Sequence, residues 1–177
     1  LEEHPEAWNQ SIYEQLHQIA EKALKHEAPG HSLQPTLLVN DAYLRLLDQR
    51  NVTPEDRSAV MAAGANIIRR LLVDYARKRK RLKRGGYKGR GNPLHLSIAE
   101  TASQIDVLEL NDAMDVFAKE RPRAAQVVEL KFFGGLTGEE IAEQLGVSIR
   151  TVKNDWRFAK AWLYRELGSN EDELERP

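Results

Sequence analysis

A row of hydrogen-bond donors recurs at helical spacing near the C-terminal end of the chain. Four of these side chains share one side of a predicted helix, at i, i+3, i+4 and i+7: Arg150, Lys153, Asn154 and Arg157. In the DNA major groove, forked and ammonium donors suit guanine and an amide suits adenine. The pattern therefore predicts a helix that reads base pairs. An ordinary solvated charged face is the structural alternative.

Three further polar residues belong to the same predicted contact. Ser148 and Thr151 lie near the N-terminus of the helix, where hydroxyls and backbone amides favour phosphate. Lys160 follows further along the helix. We expect these three side chains to join the four donors in binding DNA.

The residues before this helix have the spacing of a helix-turn-helix. Gly146 and Val152 follow Ala142 by four and ten residues. Ala142 is a small residue for the contact between the helices, Gly146 tolerates positive φ in the turn, and Val152 is an inward apolar residue. Thr137 and Glu140 predict a capping box for the first helix, and Ser148 a cap for the second. The second helix should bury one apolar stripe: Ile149, Val152, Trp156, Ala159 and Leu163.

Helical periodicity continues through most of the chain and predicts an all-α fold of two small domains. We place a three-helix domain at residues 1–81, with Thr53 and Pro54 starting its third helix. A four-helix domain follows at residues 105–168, with Ser103 as its first cap. Between them, residues 82–104 form a flexible basic linker in which a short extended segment can occur. The acidic tail, residues 169–177, is expected to be disordered.

Basic residues are concentrated in one short segment. Residues 77–90 carry nine basic and no acidic side chains, although the whole chain has a net charge of −1. This distribution indicates a local contact with a polyanion, or alternatively a solvated basic linker. It argues against a protein that coats duplex DNA unaided, because such affinity rests on many cationic phosphate contacts.

Composition excludes several other classes of function. The chain has no cysteine, which rules out disulfides, thiol nucleophiles and cysteine-bound zinc and agrees with a cytoplasmic location. No apolar run is long enough to predict a membrane span. No phosphate-cradling loop or nucleophile elbow is present. The five histidines lack metal-ligand spacing: His4, His17, His26, His31 and His95. We therefore expect no enzyme activity, no catalytic residue, no metal, no cofactor and no membrane contact.

Three segments, in this order, resemble the sigma-70 family of RNA polymerase sigma factors, in the extracytoplasmic-function (ECF) group. LLVNDAYLRLL is similar to the segment that binds the polymerase clamp helices, and IIRRLLVDYARKRKR to the helix that faces the downstream promoter element. The segment from Val127 to Leu167 resembles the C-terminal promoter-binding domain. The match covers about residues 13–168. It implies a transcription initiation factor that binds core RNA polymerase and directs it to promoters, reading the upstream (−35) element with the helix-turn-helix and the downstream (−10) element with the N-terminal domain.

The resemblance also implies roles for residues of the N-terminal domain. Asn40, Asp41 and Arg45 fall on family positions that contact the polymerase, whereas Leu37 replaces the usual aspartate. The loop Gln49–Arg57 falls where the family captures a flipped base, and its lack of an aromatic residue leaves polar contacts for this task. Residues on the third helix fall on the segment facing the downstream element: Asn66, Arg69, Arg70, Asp74 and Arg77.

The expected partners are core RNA polymerase, promoter DNA and, where one exists, an anti-sigma factor. We expect a monomer. The alternative is an autonomous helix-turn-helix regulator that binds operator DNA without polymerase. Such proteins usually dimerise to read paired half-sites, and the sequence shows no additional dimerisation helix or ligand-binding domain.

Overall fold

The computed structural model describes residues 10–24, 33–53, 55–84, 95–97 and 104–174 of the chain. Within these ranges it forms seven α-helices and one pair of three-residue strands, so the predicted all-α class is confirmed. None of the helices in these ranges is long and apolar enough to cross a membrane. Some residues considered above lie outside the described ranges: His4, His26, His31, Pro54, Ser103 and residues 85–94.

The first three helices form the N-terminal unit, which comprises α1 (Gln10–Leu24), α2 (Pro35–Leu47) and α3 (Arg57–Arg84). Pro35 occupies the first turn of α2, where its missing N–H has no intrahelical partner to lose. Leu16 and Leu46 are completely buried between the helices. A Cβ on Gly64 would lie 2.8 Å from Cδ2 of Leu16, so glycine permits the close approach of α1 and α3.

The start of α3 differs from the prediction. Thr53 was expected to cap this helix, but the cap is Asp56, whose Oδ1 accepts a hydrogen bond from the Ala59 N–H at 2.9 Å. The Asp56 N–H donates to the Thr53 carbonyl at 3.1 Å, which closes a turn just before the helix. The segment had two residues capable of capping, and this turn selects the second.

At its other end α3 continues through Arg84, three residues into the segment predicted as linker. Further along that segment, β1 (His95–Ser97) pairs antiparallel with β2 (Gln104–Asp106), with Leu96 opposite Ile105. The extended segment considered from sequence is therefore present. The division of the chain into domains near residues 81 and 105 stays a prediction.

Four helices form the C-terminal unit: α4 (Val107–Glu120), α5 (Pro122–Val128), α6 (Gly138–Leu145) and α7 (Ile149–Leu174). Phe117 of α4 is completely buried, and its ring centroid lies 4.8 Å from that of Trp162 on α7. The cap of α4 is Asp106, whose side chain accepts from the N–H groups of Leu108 and Glu109. In the structure α7 continues past Gly168 to Leu174, and the expectation of disorder for residues 169–177 stays a prediction.

A π-helical turn, Glu129–Phe133, follows α5 directly. It ends where the Gly134 N–H donates to the Glu129 carbonyl at 3.1 Å. A Cβ on Gly134 would lie 2.4 Å from the Leu130 carbonyl oxygen and 3.2 Å from Cβ of Ala65 on α3. The glycine therefore allows both the tight turn and its close approach to the N-terminal unit.

Candidate nucleic-acid interface

The predicted helix-turn-helix is present between α6 and α7. Thr137 and Glu140 form the predicted capping box: the Thr137 Oγ1 accepts the Glu140 N–H, and the Glu140 carboxylate accepts the Thr137 N–H at 2.8 Å. Gly146 ends α6 in the left-handed conformation, with φ 63°. The Val147 N–H donates to Ala142 and the Gly146 N–H to Glu143, which is a Schellman turn. These local bonds fix the sharp bend.

The second helix presents the predicted donors to solvent. Ser148 caps α7 through its Oγ, which accepts the Thr151 N–H at 3.1 Å. The four side chains that share the predicted reading face are all exposed: Arg150, Lys153, Asn154 and Arg157. Lys160 is half-buried, with its ammonium 5.7 Å from the ring centroid of Trp156. The structure thus brings the predicted donors together on one open helix face.

The apolar stripe of α7 is only partly as predicted. Val152, Ala159 and Leu163 are buried, but Ile149 is 39% exposed and Trp156 is half-buried. Ile149 is the first residue of α7, immediately after the bend, so the core begins one turn later at Val152. The Trp156 ring packs against the edge of the core, and the ammonium groups of two half-buried lysines, Lys131 and Lys160, lie 5.6 and 5.7 Å from its centroid.

A salt bridge that the sequence reading missed supports α7. Asp155 lies next to the reading face and accepts two bonds from Arg123 at the start of α5, at 2.7 and 3.3 Å. The hydrogen bond and then the charge of Asp155 raise the pKa of the Arg123 guanidinium. The Asp155 side chain is only 16% exposed, so its carboxylate is withdrawn from the predicted reading face. The sequence did contain a signal for this salt bridge, since Asp155 is the single acid among the cationic residues between Arg150 and Lys160 of α7.

The predicted polymerase-binding residues occupy an exposed face of α2. Asn40, Asp41 and Arg45 are all exposed, and the Asn40 Oδ1 accepts a hydrogen bond from the Tyr13 hydroxyl at 2.8 Å. Leu37 and Leu44 are 57% and 61% exposed. Their spacing around Asp41 places an acidic group between two apolar side chains.

The predicted downstream-element residues of α3 are in two different environments. Arg70, Asp74 and Arg77 are exposed, at a cleft of about 290 Å³ between α3 and α4. Asn66 and Arg69 line the same cleft but are half-buried and are bonded to the C-terminal unit. The Arg69 side chain is only 15% exposed.

Arg69 contacts two elements of the C-terminal unit. Its Nη2 donates to Asp115 at 2.7 Å and to Asn111 at 2.9 Å, both on α4. Its Nη1 lies 3.6 Å from the carboxylate of Glu129 in the π-helical turn. The same carboxylate accepts from Asn66 at 2.9 Å. The sequence reading did not identify these acceptors, because acids on a helix usually mark a solvated face.

The loop predicted to capture a flipped base lies before α3. Gln49, Arg50, Asn51 and Thr53 are exposed, whereas Val52 is half-buried. Arg57, at its end, donates to Glu140 of α6 at 2.7 Å. Within the described ranges, no group of three or more potential ligands could hold a metal ion. His17 lies 3.5 Å from Glu21 on the same helix face.

Comparison with known proteins identifies one family. The family model described as "ECF sigma factor" matches residues 3–169 of the chain. Searches of curated proteins and of solved structures returned no match. The family match spans both helical units, including α2, α3 and the helix-turn-helix.

Proposed function

Since the chain belongs to the ECF sigma factor family, and so to the factors that direct RNA polymerase to promoters, we propose a specific division of labour among its helices. The α7 face reads the upstream promoter element, α3 faces the downstream element, and α2 docks on core polymerase. The observation that carries the proposal is the helix-turn-helix with four donors exposed on one face.

The physical case for α7 rests on donor chemistry and position. Arg150 and Arg157 supply forked donors suited to guanine, and Asn154 an amide suited to adenine. The N-terminal turn of α7 offers its remaining free backbone N–H groups to phosphate. The Ser148 and Thr151 hydroxyls are 2.9 Å apart and bonded to each other, which leaves one O–H of the pair to donate. The Arg123–Asp155 salt bridge anchors the helix so that these groups approach the groove together.

In vitro transcription with matched variants tests the assignment of α7. In vitro transcription with core polymerase on genomic fragments maps the dependent start sites, and single alanine variants at Arg150, Lys153, Asn154 and Arg157 are then compared. Loss of a base contact at Lys153 or Arg157 should cost roughly 1–3 kcal/mol at the matching promoter position. Lys119→Ala, exposed on α4, removes the same charge elsewhere and should leave selectivity intact. Unchanged selectivity in all four variants would contradict the assignment.

The case for α2 rests on its exposed mixture of leucines and an acid. Leu37 and Leu44 lie open to solvent, which is unusual for large apolar side chains grouped on one helix face and indicates a protein partner. Asp41 between them provides a charge that selects the partner. A docked polymerase would cover both leucines.

Reversal of that charge should abolish docking. We expect Asp41→Arg to lose co-purification with core polymerase, because it places a cation where an anion is required. Asp48→Arg makes the same change at the exposed C-terminal end of α2 and should retain the complex. Wild-type recovery of polymerase with Asp41→Arg would refute the docking site. Equal binding of the mapped fragments with and without polymerase would instead favour an autonomous regulator.

A further inference from the structure

We infer that Phe158, on α7, contacts the methyl group of a thymine in the upstream promoter element and so specifies that base. The inference rests on the proposed function, because it adds a contact to the helix assigned above to that element. The added contact is apolar, whereas the reading face has so far been described only by its hydrogen-bond donors.

Phe158 is an aromatic side chain that lies open to solvent beside the four donors. Among the described side chains of α7 it is the most exposed large hydrophobic one, at 47%. It follows Asn154 by four residues, so the two side chains are neighbours on one side of the helix. Arg157 directly precedes it. A groove that receives the amide of Asn154 therefore also receives the exposed edge of this ring.

The Phe158 ring is held in place by an aromatic and a cationic contact. It stacks on the buried ring of Phe117, with the centroids 6.1 Å apart and the planes at 24°. The guanidinium of Arg121, between α4 and α5, lies 5.2 Å from its centroid. A side chain that is fixed before binding loses little conformational entropy when it contacts a ligand. Phe158 is thus preorganised as a rigid apolar contact.

The surface around Phe158 is cationic. Arg121 and Arg157 are exposed, and so is Arg165, two turns further along the same side of α7. The acid nearest in sequence, Asp155, is already engaged in a salt bridge. An apolar ring among guanidinium groups fits a partner that presents phosphates and an apolar group together. Duplex DNA does so in its major groove, where the C5-methyl group of thymine is the apolar group.

The helical rise limits where this thymine can lie. Asn154 and Phe158 are about 6 Å apart along the axis of α7 at 1.5 Å per residue, and successive base pairs are about 3.4 Å apart. The thymine should therefore lie within about two base pairs of the base that Asn154 contacts. Thymine alone among the four DNA bases carries a methyl group in the major groove, so an apolar side chain selects it without a hydrogen bond.

The test replaces single thymines of the upstream element with uracil, which keeps the O4 acceptor and the base pair but lacks the methyl group. The mapped promoter fragments carry one such change at a time, and their affinities for core polymerase with the bound chain are compared. One change should weaken binding about fourfold, the effect of losing the burial of one methyl-sized group. Phe158→Ala should bind the thymine and uracil fragments equally. Phe158→Leu, which disturbs packing less and keeps an apolar side chain, should prefer thymine by about twofold or more.

Val116→Ala is the matched control, because it removes an apolar group that is 45% exposed on α4, and it should keep the wild-type preference for thymine. A ring that only covers Phe117 would change the stability of Phe158→Ala but not its response to uracil. The inference is overturned if no thymine of the upstream element is sensitive to uracil, or if Phe158→Ala keeps the wild-type preference. Loss of core polymerase by Phe158→Ala with that preference retained would assign the ring to a protein contact instead. If the four donor variants also leave selectivity unchanged, the proposed function itself fails.

Discussion

The donor faces of α7 and α3 are similar in composition but opposite in state. On α7, Arg150, Lys153, Asn154 and Arg157 point to solvent. On α3, Asn66 and Arg69 are already bonded within the molecule. Both sets combine guanidinium and amide donors at helical spacing, so residue type does not distinguish them. The difference comes from the opposing surface, since acids of α4 and the π-helical turn face α3.

The comparison shows that a cationic helix face indicates an anionic partner, but does not indicate whether that partner is an external ligand or an acid of the same chain. Carboxylates of the same chain bind Arg69, whereas Asp155, which lies next to the α7 donors, is itself bound by Arg123. By pairing with Arg123, Asp155 is kept from binding the reading face. A cationic face is open to a ligand where the acids near it are bound elsewhere, and it is already occupied where acids of the same chain bind it.

The largest expected effect comes from removing the apolar support of one face. Phe117→Ala should cost about 3–5 kcal/mol, because the buried ring packs beneath α7 against Trp162. Leu16→Ala should cost about 2–5 kcal/mol beneath α3. In urea unfolding both variants lose stability, but only Phe117→Ala should weaken upstream DNA binding more than polymerase docking. Equal loss of both activities in the two variants would show that the faces do not rest on separate cores.

An intermediate effect is expected at the bend before α7. Gly146→Ala should destabilise the fold by about 1–2 kcal/mol, since an L side chain is disfavoured at φ 63°. The space around this glycine is open, so the cost is one of backbone conformation alone. Gly138→Ala provides the control, because its Cβ also meets open space and its φ is not positive. Equal thermal stability of the two variants would contradict a role for the left-handed turn.

The smallest effect concerns Glu140, which caps the N-terminus of its own helix, α6, and also binds Arg57 of α3. The backbone N–H of Thr137, with smaller contributions from its hydroxyl and from Arg57, lowers the pKa of this carboxyl. A lowered folded-state pKa gives stability that is present above the unfolded value of about 4.3 and is lost as the pH falls through the folded value. Wild type should therefore lose about 1 kcal/mol or less relative to Glu140→Gln on acidification. The urea midpoints of the two proteins above and below about pH 4 measure this loss. The same dependence of the midpoint on pH in both proteins would contradict the prediction.

The sequence predicted the features of this fold that depend on neighbouring residues. The capping box of Thr137 and Glu140 and the turn at Gly146 involve bonds over three to five residues, so residue type and spacing determine them. The same reasoning wrongly predicted Thr53 as the cap of α3, where the structure has Asp56. Both residue types can cap a helix, and the turn just before α3 determines which of them does.

Contacts between distant segments could not be predicted in this way. Arg69 and Asp115 are 46 residues apart, and nothing in their local sequence distinguishes partners from solvated charges. Ile149 was misjudged because helical periodicity says nothing about where the core begins after a bend. The donors of α7 and the clamp residues of α2 were located from their spacing and from family resemblance, and their roles stay proposals.

The half-buried Trp156 has an optical consequence. The ammonium groups of Lys131 and Lys160 lie 5.6 and 5.7 Å from the centroid of its indole ring. Indole emission responds to nearby charge, and in the proposed function phosphates bound at α7 would attract those same ammonium groups. Trp156 therefore gives the helix-turn-helix an intrinsic fluorophore beside its proposed reading face. Because the chain also contains Trp8 and Trp162, replacing these two with phenylalanine leaves Trp156 as the sole indole whose emission follows occupancy of that face.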